Sequence, residues 1–301
     1  MMKRDFLSIK DLTRDEIESL LEKALEMKRA GKKYPKSLTG HTLGLVFEKA
    51  STRTRVSFES AMYRLGGQTL FLSSRDTQLS RGEPVKDTAR VLSRYLDGLS
   101  IRTYSQAVVE EMAGWADIPV INALTDKYHP CQVLSDLMTV KEKKGKLDGI
   151  EVAWVGDGNN MANSWINAAR IMGFRLSVAC PSGYEPDADV LSGAGENIRV
   201  STDPKEAAKG ADVINTDVWA SMGQEKEQEK RIRDFRGFQV NETLVNQAKP
   251  NAIVLHCLPA HRGEEIAAGV LEGPQSVVFD QAENKMHLHQ ALLELLIKER
   301  S

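Results

Sequence analysis

Ser51-Thr52-Arg53-Thr54-Arg55 sets hydroxyls and guanidinium groups side by side between an apolar run at residues 42–47 and a helical period through Phe58, Met62 and Leu65. A turn from strand to helix leaves free amide groups at the helix start, and these favour an anion. The hydroxyls add donors, and an arginine adds a planar fork matched to phosphate oxygens. The chemistry is phosphate binding, and the competing reading is an ordinary capped helix with a solvated arginine pair.

Arg102 follows the apolar-rich stretch from Tyr95 to Ile101, where a strand would end, and His129-Pro130-Cys131-Gln132 precedes another helical stretch. A guanidinium and an imidazole N–H converging on one carbonyl oxygen would stabilise the oxyanion of acyl transfer. Taken singly, Arg102 reads as a surface charge and His129 as a loop or core histidine; their shared place at strand ends favours the chemical reading. Further on, Asp217 to Gly223 and His256-Cys257-Leu258-Pro259-Ala260-His261-Arg262 follow two more strand candidates. They offer a carboxylate, a hydroxyl and a thiol, acceptors suited to an amino group. Their bland alternatives are a loop cap for Asp217 and an inert thiol for Cys257.

Two other constellations point elsewhere and fall short. Gly156-Asp157-Gly158-Asn159-Asn160 resembles a dinucleotide turn, but Met161 stands where the third glycine belongs, and Cys180-Pro181-Ser182 follows the next strand in place of a ribose-binding carboxylate. The histidines at 256, 261, 287 and 289 lack a metal-binding spacing with a second cysteine. Neither a nicotinamide cofactor nor a metal is expected.

The elements that must position these residues alternate. An amphipathic helix places Ile17, Leu20, Leu21, Ala24 and Leu25 on one face, with Asp11 or Thr13 as its cap. Strand, loop, helix, strand over residues 42–72 is the grammar of a parallel sheet with crossover helices. It recurs from residue 150: strands at 150–155, 176–179, 212–216 and 252–256, with helical stretches at 161–172, 204–209 and 241–248. The fold class is therefore α/β, two doubly wound parallel-sheet domains with an active-site cleft between them. The first is expected over residues 1–140 and the second over 141–285, with a helix from Met286 to the end crossing back to the first domain.

Length and composition agree with that division. At 301 residues the chain has room for two domains, and 41% hydrophobic with 27% charged residues is ordinary globular composition. Forty basic side chains nearly cancel 42 acidic ones, so no global charge draws the protein to nucleic acid or to a membrane surface. Three widely separated cysteines suit a reducing compartment. No apolar stretch approaches the roughly 20 residues of a membrane span, and the charged amino terminus has no signal-peptide core. A cytoplasmic protein is expected.

Read together and in order, STRTR, DTQLSRGE, IRT, HPCQ, DVWASMG and HCLPAHRGEE resemble the aspartate and ornithine carbamoyltransferase family over most of the chain. SMG and HCLP look like the ornithine branch, as does Gln78, whereas Lys86 is not placed as the lysine of the aspartate branch would be. The resemblance implies transfer of a carbamoyl group from carbamoyl phosphate to L-ornithine, giving L-citrulline and phosphate without a cofactor, in arginine metabolism. It implies phosphate binding by Ser51, Thr52, Arg53 and Thr54, with Gln78 supplied by a neighbouring subunit of a homotrimer. Arg102, His129 and Gln132 would polarise the carbamoyl group. Asn160, Asp217, Ser221 and Met222 would hold the amino-acid end of ornithine, and Cys257 with Leu258 would border the reacting nitrogen, close to the carbamoyl group. One departure is plain: Lys285 stands where the ornithine branch usually carries arginine, keeping the charge but losing the planar fork. Transfer to another amine such as putrescine or acetylornithine, or a phosphate-ligand binder without turnover, are the competing readings.

Overall fold

The computed structural model describes residues 3–33, 35–73, 82–220 and 227–298. The chain divides into two compact units, residues 1–138 with 284–301, and residues 139–283. The first unit runs through α1 (Arg14–Arg29), β1 (Thr42–Phe47), α2 (Thr52–Arg64), β2 (Gln68–Ser73), α3 (Val85–Leu92), β3 (Gly98–Arg102), α4 (Gln106–Trp115), β4 (Val120–Leu124) and into α5 (Pro130–Lys144). The second contains β5 (Glu151–Val155), α6 (Asn160–Met172), β6 (Arg175–Ala179), α7 (Ala188–Ser192), β7 (Ile198–Ser201), α8 (Pro204–Ala208), β8 (Val213–Thr216), α9 (Gln228–Asp234), α10 (Glu242–Val245), β9 (Ile253–His256) and α11 (Ala268–Leu271). The last helix, α12 (Val278–Ile297), begins in the second unit and ends in the first.

Both sheets are parallel throughout, in the orders β2-β1-β3-β4 and β7-β6-β5-β8-β9. The strand order reverses between β1 and β3 in the first and between β5 and β8 in the second. At such a reversal the loops from neighbouring strands diverge to opposite faces and leave a crevice at the carboxyl edge, which is where open α/β sheets take their ligands. All six residues of β1 are buried, as expected for a strand covered by helices on both faces. The edge strands β2 and β7 are only partly buried.

Local chemistry explains where the elements start and stop. Thr13 caps α1: its hydroxyl accepts from the Glu16 amide, and the Glu16 carboxylate accepts from the Thr13 amide at 2.8 Å. Asp11, the other expected cap, serves the preceding turn, accepting from the Leu7 and Ser8 amides at 2.6 and 2.8 Å. α6 ends at Gly173, whose φ of 76° is the left-handed conformation a helix C-terminus demands.

The structure corrects one boundary. The helix expected from Met286 starts at Val278, because its first turns turn a polar face inward: Gln281, Asn284 and Lys285 are all buried. Apolar periodicity cannot see such a face. Among the described residues no helix is long and apolar enough to cross a membrane.

Candidate active site

Register builds the first half of the site. Phe47, the last residue of β1, lies beside Ser73 of β2 and Arg102 of β3, and Arg102 lies beside Leu124 of β4. One row of residues therefore ends the sheet, and the loops at 48–51, 103–105 and 125–129 all leave from it. Ser51 caps α2, its hydroxyl accepting from the Thr54 amide at 3.2 Å. Thr52 and Arg53 are exposed at the helix start, while Thr54 is buried. Arg55 is committed elsewhere, paired with Glu59 at 2.9 Å and stacked over Phe71.

The buried side of this turn is polar and cationic. Lys285 donates through Nζ to Thr54 Oγ1 at 3.1 Å and to Gln132 Oε1 at 3.0 Å. Gln132 in turn donates to Asp136 at 2.8 Å, which fixes its amide with the oxygen toward the lysine. Three segments remote in sequence thus meet at one ammonium group. Arg102 and His129 are both buried at the same sheet edge. Burial holds the His129 pKa well below the usual histidine value, and the nearby Lys285 and Arg102 charges and His289 add to that. His129 is consequently a neutral imidazole, able to donate one hydrogen bond without adding a charge. Burial pushes the Cys131 thiol up to about 12, so it is an inert packing group.

In the second unit β8 and β9 end in register, Thr216 beside His256, and the next residue on each strand carries a functional group. Cys257 donates through Sγ to Asp217 Oδ1 at 3.1 Å. The Val218 amide donates to the same oxygen at 2.9 Å, and Asn159 Nδ2 donates to Oδ2 at 3.2 Å. Three donors converge on this buried carboxylate and fix its direction. Asn159 also caps α6, accepting from the Met161 amide at 2.9 Å, and Asn160 is the first residue of that helix.

The loop after β9 is braced from below. His256 Nδ1 accepts from the Leu258 amide at 2.9 Å, so the proton sits on Nε2, which meets Glu265 Oε1 at 2.9 Å. Leu258 has a φ of 58°, an unfavourable conformation for a leucine that this bond helps to hold. His256 is therefore a brace, already bonded through both ring nitrogens.

Residues 4–142 match the family described as aspartate/ornithine carbamoyltransferase, carbamoyl-P binding domain, and residues 148–296 match its Asp/Orn binding domain. The chain belongs to the aspartate/ornithine carbamoyltransferase family. It is 59% identical over 293 residues to a protein from Desulfotalea psychrophila named ornithine carbamoyltransferase, covering 95% of this chain and 97% of that one. A protein of the same name from Syntrophus aciditrophicus is 56% identical, covering 98% of this chain and all of the relative. Among solved structures, the ornithine carbamoyltransferase from Pyrococcus furiosus superposes with a TM-score of 0.94 at 51% identity, over 98% of this chain and 97% of the other. That from Thermus thermophilus gives 0.91 at 44% identity, over 99% and 100%.

Within this carbamoyltransferase framework the glycine turn after β5 has a packing explanation. A Cβ on Gly158 would lie 2.3 Å from the Glu185 carbonyl carbon and the Pro186 nitrogen, so the loop after β6 crosses where a nucleotide would approach. Asp157 in the same turn pairs with Arg231 at 2.9 Å. Of the expected site residues, Ser51, Thr54, Gln132 and Lys285 form one hydrogen-bonded group, and Asp217 and Cys257 form another. Gln78, Ser221 and Met222 lie outside the described residues. Sequence reasoning passed over Asn159, although an asparagine before a helix is a visible cap signal. It also passed over Ser57 and His289 as partners, for which the only signal was the spacing of His289 from Lys285 along one helix face.

Proposed function

We propose that this carbamoyltransferase transfers the carbamoyl group of carbamoyl phosphate to the side-chain amine of L-ornithine, releasing L-citrulline and phosphate. The observation that carries the assignment of the phosphate half is the buried Lys285 ammonium held between Thr54 and Gln132, beside Arg102 and neutral His129. A dianionic leaving group placed on Ser51, Thr52, Arg53 and Thr54 gains hydrogen bonds from the start of α2 and charge from Arg53 and Lys285. Arg102, His129 and Gln132 take the carbamoyl group, and the first two stabilise the oxyanion as it forms.

The amine must arrive neutral, because an ammonium with a pKa of roughly 10 has no lone pair to attack with. Asp217, with Asn160, Ser221 and Met222, holds the amino-acid end, and Cys257 with Leu258 borders the reacting nitrogen. Attack is direct: the nitrogen bonds to the carbonyl carbon, the bond to the phosphate oxygen breaks, and the nitrogen's surplus proton leaves with the products. Cys257 positions and does not become acylated; its S–H is already spent on Asp217. The reaction calls for no metal and no organic cofactor.

The family reading includes a cytoplasmic homotrimer in arginine metabolism, with Gln78 completing a neighbour's site. Val56 and Tyr63, seven residues apart on α2, and Leu70 on the adjoining β2 are 51%, 76% and 50% exposed, an apolar surface suited to a subunit contact. Purified protein given carbamoyl phosphate and L-ornithine, with chelator present, should form citrulline and phosphate in equal amounts. Preference for putrescine or acetylornithine in an acceptor panel would overturn the choice of amine; phosphate-ligand binding with no turnover on any acceptor would overturn the enzyme.

A further inference from the structure

His289 lies one turn beyond Lys285 on α12, and α12 reaches α2 at both positions. Lys285 donates to Thr54 Oγ1, and His289 Nδ1 lies 3.0 Å from Ser57 Oγ. The imidazole also stacks on Phe58, ring centroids 3.7 Å apart and planes 12° from parallel. Residues spaced by four on one helix therefore meet residues spaced by three on the other, which is how two helix faces interlock.

The hydroxyl of Ser57 decides the proton arrangement. It donates to the Thr54 carbonyl at 3.0 Å, within its own helix. With its single proton placed on that carbonyl, the tautomer that completes the pair carries the imidazole proton on His289 Nδ1 and donates it to the Ser57 oxygen. Thr54 is consequently held twice: its hydroxyl by Lys285 and its carbonyl, through Ser57, by His289. The imidazole is fully buried, and burial together with the Lys285 charge holds its pKa well below the usual histidine value, which keeps it neutral.

We propose that His289 is a positioning residue for the phosphate turn: through Ser57 it fixes the rotation of the first turn of α2, and with it the direction in which the Ser51–Thr54 donors point. It touches no substrate. This inference rests on the carbamoyl phosphate reading of that turn.

The test separates the hydrogen bond from the packing. H289N keeps an N–H donor close to the Nδ1 position, and H289F keeps an aromatic ring against Phe58 but has no donor. H289F is expected to raise KM for carbamoyl phosphate roughly tenfold, with kcat and KM for ornithine within about twofold of the parent. H289N should restore most of the loss, and S57A should reproduce H289F, with the double variant no worse than either alone. Inorganic phosphate binding measured by calorimetry should weaken in parallel. An unchanged KM in H289F, additive effects in the double variant, or a uniform fall in all kinetic constants that tracks melting temperature would overturn the proposal. Failure of the unmodified protein to turn over carbamoyl phosphate would instead sink the functional reading itself.

Discussion

The two half-sites are built in opposite ways. The phosphate half gathers Thr54, Gln132 and Lys285 from three helices remote in sequence onto one buried ammonium, next to a second buried cation, Arg102. The amine half takes Asp217 and Cys257 from the ends of two neighbouring strands and lets them satisfy each other. The first brings buried positive charge to the start of α2. The second is a self-consistent hydrogen-bonded group that needs no ligand to hold its shape. On the proposed assignment these are two different electrostatic tasks, gripping a charged leaving group and holding a neutral amine by its far end.

The contrast breaks most visibly at Arg102. Arg102→Leu should lower kcat by roughly 10²–10³, about 3–4 kcal/mol, the usual loss on removing one oxyanion donor from a preorganised site. KM for ornithine should change little, since the amine half contains no contact with this residue among its three donors. Steady-state kinetics with each substrate varied in turn would show it, and an equal rise in both KM values would merge the two halves into one.

A mirrored pair of substitutions sharpens the division. Asp217→Asn should raise KM for ornithine by roughly 10–100-fold, the range of a charge-assisted hydrogen bond at about 1.5–3 kcal/mol, and leave carbamoyl phosphate binding unaltered. Lys285→Met should do the reverse, raising KM for carbamoyl phosphate within the same range while sparing ornithine. Crossed effects in either variant would contradict the separation.

Gly158→Ala tests how tightly the amine half is seated. The added Cβ meets main-chain atoms of Glu185 and Pro186 at 2.3 Å, and main chain cannot swing aside as a flexible side chain would. A loss of about 1–3 kcal/mol is expected from such overpacking, read in a denaturant melt. Unchanged stability would mean that the turn at 156–160 is loosely held and that its glycines serve something other than packing.

The same contrast decides what the sequence could reveal. The Ser51–Arg55 turn was legible because one short segment carries the cap, the hydroxyls and the guanidinium groups together. Arg102, Asp217 and Cys257 were legible because strand ends at the carboxyl edge of a parallel sheet can be located from apolar runs. Lys285 was singled out by its departure from the family pattern, but its two partners were not visible, because hydrogen bonds between helices leave no periodic trace. β4 and β7 went unread: β7 alternates too weakly, with two of its four residues exposed. α3 and α4 went unread between stronger signals, and the start of α12 was hidden by an inward face of Gln281, Asn284 and Lys285. Binary patterning reports apolar faces, and the first turns of this helix bury a polar one.

The smallest expected effect concerns pH, and it again separates the halves. In the unfolded chain His129 and His289 take up protons as pH falls through about 6.5. In the folded chain both stay neutral well below that. The unfolded state therefore binds more protons in this window, so stability rises with pH there and is lost on acidification from about 7. Asp157 in the second unit acts in the opposite sense. Burial raises its pKa to about 6, even against the pull of Arg231, so the folded state holds a proton that the unfolded chain releases. Its contribution grows as pH falls from 6 toward 4. Melting temperature in a phosphate-free buffer should therefore drop as pH falls from 7 and go on dropping below 6, where Asp157 offsets only part of the loss from the two histidines. H289N should reduce the drop, and Asp157→Asn should steepen it below pH 6. Added phosphate should raise the melting temperature throughout, because it binds only the folded chain. A profile level from pH 7 to 6 would show that burial and the nearby cations do not hold the two imidazoles neutral, and the electrostatic distinction between the halves would fall with it.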